Sequence, residues 1–208
     1  MDISRYKYIN ITEITGKTEF DVSNFLIKNN KLKTLEHVTA VANRINKIAE
    51  VYGLDKNVCT ISSLLHDISV VSYPNDMLNY VFENDLFIDE AERKYPFLLH
   101  QRISKLLAMS FFKIDDDAVL SAIECHSTLK SNPSQYDMAL FIADKLSWDQ
   151  EGTPPFYDIV SESLTLSLEE ACLAYINFII DNNLILHPHS WIIEGQNYLK
   201  IYSLNINK

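Results

Sequence analysis

The chain has 208 residues, 47% of them apolar and 22% charged, with four glycines and six prolines. That is enough length for a sizeable core and ordinary globular composition, with too few turn residues for a sandwich or barrel of many short strands. A formal net charge of −10 repels phosphate backbones and speaks against a nucleic-acid binder with a broad basic face.

Residues 1–17 are polar and without clear periodicity. A helix is expected near 18–30, with Phe20, Asn24 and Ile27 on one side, followed by a loop through KNNKLKT, Lys28 to Thr34. From Leu35 to Tyr52 the apolar residues Val38, Val41, Ala42, Ile45, Ile48 and Ala49 recur at helical spacing, and Gly53 reads as the stop. Asp55 reads as the cap of a second helix with Val58, Ile61, Leu64 and Leu65 facing inward. His66 and Asp67 then fall in its last turn or just beyond. Short helices are expected on both sides of a loop around Asn84 and Asp85. Pro96 opens a helix through FLLHQRISKLLAMSF, with Leu98, Leu99, Ile103, Leu106 and Leu107 as core. KIDDDAVLSAIECH restarts after an Asp-rich cap, and in SNPSQYDMALFIADKLSW the residues Met138, Ile142, Ala143 and Leu146 form one face. DQEGTPPF at 149–156 reads as a loop, SLEE at 167–170 as a capping box opening a helix to about Asp181, and HPHSWIIEGQNYLKIY as the last helix. The fold class is all-α, read as one domain over 1–208.

Cys59, Cys125 and Cys172 lack C-x-x-C spacing, which suits reduced thiols and a cytoplasmic location. The opening MDISRYKYIN has no apolar signal region. The longest apolar stretch, ACLAYINFII at 171–180, is too short for a bilayer span. Cys59 and Cys172 lie on apolar faces, and Cys125 has no evident base to activate it.

Six titratable residues sit at the edges of these apolar faces: His37, His66, Asp67, His100, His126 and Asp144. A buried unpaired charge or imidazole is costly, so each needs a partner. One such histidine is ordinarily a hydrogen-bonded core or surface residue; the recurrence over five segments is what points to a shared site. Four imidazoles and two carboxylates suit two divalent ions, one carboxylate being able to bridge them. His187 and His189 flank Pro188 between helices and read as caps of that turn rather than a second metal motif. Arg102, Lys105, Lys130 and Lys145 are candidate phosphate contacts. Trp148 and Phe156 are candidates to stack on a base, with surface charge or core packing as the plain alternative for each.

The order His37, His66-Asp67, His100, His126, Asp144, in LEHVTAVANRINKIAEVYGLDKNVCTISSLLHDIS, YPFLLHQRISKLLA and LSAIECHSTLKSNPSQYDMALFIADKL, resembles the HD superfamily of metal-dependent phosphohydrolases. Within it the chain looks like the YqeK-type branch, the symmetrical bis(nucleosyl)-tetraphosphatases. The resemblance covers about residues 33–148 and implies a helical HD-type domain with an N-terminal extension over 1–32 and C-terminal helices over 156–203. It implies two metals, commonly iron, with manganese, zinc or cobalt also suited to these donors. His37, His66, Asp67 and Asp144 would hold one ion, and Asp67 would bridge to a second completed by His100 and His126. The implied reaction is cleavage of diadenosine tetraphosphate into two ADP, in which the ions activate a water and His66, Asp67, Arg102 and Lys145 make up the catalytic group. The alternatives are a phosphohydrolase acting on a mononucleotide or other phosphoester, and a metal- or nucleotide-binding regulatory module without turnover. The expected partner is a small nucleotide substrate, with neither nucleic acid nor membrane, and the chain is expected to form a homodimer. Two features depart from the branch: Gln101 stands where a glycine is usual, and KLSWDQEGTPPF replaces an aromatic residue followed by an acidic-Pro-x-Arg run.

Overall fold

In the computed structural model, which describes residues 1–148 and 150–206, the chain is all-α, with no strand among the described residues. The helices are α1 (Thr18–Lys28), α2 (Leu32–Tyr52), α3 (Lys56–Leu65), α4 (Pro74–Glu83), α5 (Glu90–Lys94), α6 (His100–Ser110), α7 (Asp117–Cys125), α8 (Gln135–Leu146), α9 (Tyr157–Leu164), α10 (Leu168–Asp181) and α11 (Ser190–Ile206). Short 3-10 turns at Ile68–Val71 and Pro96–Leu99 lie between α3 and α4 and between α5 and α6.

Local chemistry sets the ends that matter for the site. Gly53 closes α2 in the left-handed conformation, φ 67°, which costs glycine little. The Asp55 carboxylate accepts the Asn57 N–H at 2.7 Å, and Asp116 accepts the N–H groups of Ala118 and Val119, so α3 and α7 start with satisfied donors. α8 opens on a reciprocal capping box between Ser134 and Asp137. These caps fix where α3, α7 and α8 start, and His66, His126 and Asp144 lie at their opposite, C-terminal ends.

Two apolar clusters carry the packing. One joins Phe25 of α1, Leu65 of α3, Ile103 and Leu107 of α6 and Ile123 of α7. The other joins Val41 and Ile45 of α2, Leu140 and Phe141 of α8 and Cys172 and Ile176 of α10. Met138 through Ala143 are all buried, so α8 is covered on every side rather than along one stripe. Each fully buried Leu, Ile or Phe contributes about 1.5–3 kcal/mol, which makes α8 a stable mount for Asp144.

Three expectations change. On α1 the buried face is Val22, Phe25 and Leu26, while Phe20 and Ile27 are exposed. The reason is Asp21, itself buried, which accepts the Thr15 and Gly16 N–H groups at 3.1 and 2.9 Å and turns the helix. The loop expected over Lys28–Thr34 is shorter, because α2 begins at Leu32. Ser167 caps α10, but Glu170 does not close the box; its carboxylate accepts the Ser203 hydroxyl at 2.7 Å. The expected loop at 149–156 includes Asp149, which lies outside the described residues.

Candidate metal centre

Five helices deliver six side chains to one place. His37 comes from the second turn of α2, His66 caps α3 with Asp67 directly after it, His100 opens α6, His126 caps α7, and Asp144 lies in the last turn of α8. His37 Nε2 is 3.0 Å from Asp144 Oδ1 and 3.3 Å from His66 Nε2. His100 Nε2 and His126 Nε2 are 3.0 Å apart. Asp67 lies between the two imidazole pairs. Its Oδ2 is 3.5 Å from His66 Nε2 and 3.9 Å from His37 Nε2, and its Oδ1 is 3.4 Å from His126 Nε2 and 3.6 Å from His100 Nε2.

The far sides of three rings are tied in the same way. Nδ1–H of His66 donates to the Ser63 carbonyl at 2.7 Å, that of His100 to Phe97 at 2.8 Å and that of His126 to Ile123 at 2.8 Å. A carbonyl only accepts, so the Nδ1 proton is fixed and each neutral ring aims an Nε2 lone pair at the centre. Lone pairs facing one another at 3.0 Å repel unless a cation lies between them. Imidazole held from behind by a carbonyl is the usual arrangement of a metal ligand, and two sets, His37-His66-Asp67 and Asp67-His100-His126, each bring donor atoms within 4.8 Å of one another. The residues therefore fit divalent ions.

The electrostatics of the two carboxylates agree. Burial alone would raise Asp67, but His66, His126 and His100 hold it well below the usual carboxylate range. Burial likewise opposes ionisation of Asp144, and Lys145, His37 and His66 overcome it. His66 is pulled down by burial, yet Asp67 and Asp144 raise it to about 9, so without an ion its Nε2 holds a proton that a bound cation would have to displace. His126, buried and beside His66 and His100, is lowered to about 4 despite its bond to Asp67. The centre thus holds both carboxylates as anions.

Around this set, Lys145 Nζ donates to Asp144 Oδ2 at 2.6 Å and to the His126 carbonyl at 3.3 Å. Gln101, fully buried, accepts the Ser127 N–H at 3.1 Å and donates to the Thr128 hydroxyl at 2.9 Å. It clamps the turn after His126. Ser127 Oγ is 3.0 Å from His100 Nε2, a neighbour of the centre that the sequence reading missed; its position beside His126 was the available signal.

Three of the cations named from sequence are not brought to the centre. Arg102 donates to Glu92 and to the Phe87 carbonyl, both at 2.8 Å. Lys105 pairs with Glu124 at 2.7 Å. Lys130 pairs with Asp137 at 3.3 Å, about 10 Å along α8 from Asp144 at 1.5 Å per residue. In each case a nearby carboxylate outcompetes the site. Phe156 is buried against Tyr175, with ring centroids 4.9 Å apart, so it packs in the core, whereas Trp148 is 38% exposed. His189 accepts the Trp191 N–H at 3.1 Å and so caps the turn before α11, as its sequence position suggests.

The HD domain family matches residues 34–149, which contain all six of these side chains. The chain belongs to the HD domain family and is an HD-superfamily phosphohydrolase. It is 41% identical over 151 residues to an uncharacterized protein in the pepC 5' region of Lactococcus lactis subsp. cremoris, covering 71% of this chain and 75% of that one. It is 22% identical over 167 residues to a symmetrical bis(5'-nucleosyl)-tetraphosphatase of Halalkalibacterium halodurans, covering 77% and 87% of the two chains. Among solved structures it is similar to an HD superfamily hydrolase of Clostridium acetobutylicum described as involved in NAD metabolism. That match has 25% identity and a TM-score of 0.76, covering 87% of this chain and 96% of the other. No helix among the described residues is long and apolar enough to cross a membrane.

Proposed function

We propose that this chain hydrolyses dinucleoside tetraphosphates symmetrically, diadenosine tetraphosphate and water giving two ADP, with two divalent ions, most readily iron, held by His37, His66, Asp67, His100, His126 and Asp144. The observation that carries the reading is the position of Asp67, one oxygen toward each imidazole pair. The similarity to a protein named as a symmetrical tetraphosphatase supports the substrate. When bound, the ions supply a nucleophile from water at neutral pH and neutralise charge on the phosphates.

The chain's own residues do the rest. The carbonyls of Ser63, Phe97 and Ile123 keep protons on the outer ring nitrogens, so the imidazoles stay donors of lone pairs without rearranging. Lys145 keeps Asp144 ionised and adds a fixed positive charge at the edge of the phosphate site. The mouth between Asp67 and His100 opens into a cleft of about 360 Å³ walled by Val70, Pro74, Met77 and Phe97, where Phe97, 55% exposed, offers a face to a base.

The test is product analysis by the purified protein, loaded in turn with iron, manganese, zinc or cobalt. Two ADP per substrate is expected; no release, or AMP with ATP, refutes the reading. A second reading, hydrolysis of a mononucleotide or other phosphoester, is favoured by the neighbour described as involved in NAD metabolism. A panel of phosphorylated substrates run beside the tetraphosphate separates the two.

A further inference from the structure

A second, larger cleft of about 660 Å³ lies beyond His37, between α2 and the segment after α8. Its volume is within the range of small-molecule sites, about 300–1,000 Å³. Ala40, Arg44 and Lys47 line it from α2, and Trp148, Pro154 and Tyr157 line it from the other side. Ala40 follows His37 by one turn, and Arg44 by two, about 10 Å along the helix. Ala40 is exposed and carries only a methyl group, so no long side chain projects from α2 at the turn between His37 and Arg44.

Arg44 is aimed by two contacts: it donates to the Leu146 carbonyl at 3.2 Å, and its guanidinium carbon lies 6.0 Å from the centre of the Tyr157 ring. One bond leaves most of its five donors free. Glu50, one turn beyond Lys47, is bonded to Lys56 at 2.5 Å instead. Among the described residues neither Arg44 nor Lys47 forms an ion pair with a carboxylate. Two cations without a carboxylate ion pair among the described residues, in one cleft of a chain with net charge −10, mark a local anion site. Trp148 stands at right angles to Phe156, with centroids 6.0 Å apart, and an exposed indole beside cations suits a stacked base.

We infer that this cleft binds one nucleoside diphosphate half of the substrate, its phosphates on Arg44 and Lys47 and its base on Trp148. The inference rests on the proposed hydrolysis for the identity of the ligand. Its test is calorimetric binding of ADP to the metal-loaded protein, comparing wild type, Arg44→Gln/Lys47→Gln, and Lys7→Gln/Lys200→Gln as a control for the same loss of charge elsewhere. The dissociation constant should rise tenfold or more in the first variant and stay within twofold in the control. Trp148→Ala should weaken ADP while leaving pyrophosphate binding within twofold. Unchanged ADP binding in Arg44→Gln/Lys47→Gln, or no binding by wild type, overturns the assignment. Release of ADP from the tetraphosphate, measured in parallel on wild type, separates the two ideas. Intact hydrolysis with unchanged variant binding removes the cleft alone, and absent hydrolysis with weakened variant binding removes the proposed reaction alone.

Discussion

Replacing Asp67 and replacing His100 should have different consequences for metal content, because Asp67 faces both imidazole pairs and His100 only one. Asp67→Ala leaves His37, His66 and Asp144 for one ion and only His100 and His126 for the other. His100→Ala leaves the first set whole. An ion present at a hundred times its dissociation constant stabilises the folded chain by about 2.7 kcal/mol. For a chain of this size each kcal/mol moves the melting temperature by about 2–4 °C, so one ion is worth about 5–10 °C. The assay is metal content by mass spectrometry together with thermal melting before and after chelation. Wild type should hold two ions per chain and lose about twice the single-ion shift on chelation. His100→Ala should hold one ion and lose about half as much. Asp67→Ala should hold less than one and respond little to chelator. Wild-type metal content in Asp67→Ala, or loss of both ions in His100→Ala, would refute the bridging role.

Other outcomes follow from particular contacts. Gln101→Leu strands the Ser127 N–H and should cost about 1–3 kcal/mol, read as a lower urea midpoint. Gly195→Ala should lower stability although alanine favours a helix by about 1 kcal/mol, because its Cβ would lie 2.5 Å from the Leu129 carbonyl oxygen; urea denaturation checks the sign. Burial raises Cys59 to about 11 and raises Cys125 and Cys172 as well. The neutral thiol therefore persists as pH rises, and thiolate appears only near the raised value. At pH 8 Cys59 should be alkylated about 200-fold more slowly than a free thiol of pKa about 8.5, with urea restoring the rate, as mass spectrometry of iodoacetamide-treated protein would show.

Where sequence and structure agree, the cause is local. α2 ended where Gly53 indicated and α3 began where Asp55 indicated, since a left-handed glycine and a side-chain cap act within a few residues. The six titratable residues stood out because each interrupts an apolar face, and a polar group there needs a partner whatever the fold. Disagreement arose where a distant partner decided the outcome. The face of α1 was set by Asp21 reaching back to Thr15 and Gly16. Arg102 was drawn to Glu92, a residue with no evident role in the sequence. Arg44 and Lys47, which the sequence reading did not single out, share one cleft only because the segment after α8 lies against α2.

The order of residues along the chain determined the helices, their caps and which six titratable residues interrupt the apolar faces, since periodicity and capping are short-range properties. Only the packing of α2, α3, α6, α7 and α8 decided that these six residues converge, that Asp67 faces two imidazole pairs, and that Arg102, Lys105 and Lys130 pair with carboxylates away from them. Those facts depend on distances between segments as far apart as His37 and Asp144, which lie 3.0 Å from each other because two apolar clusters bring their helices together.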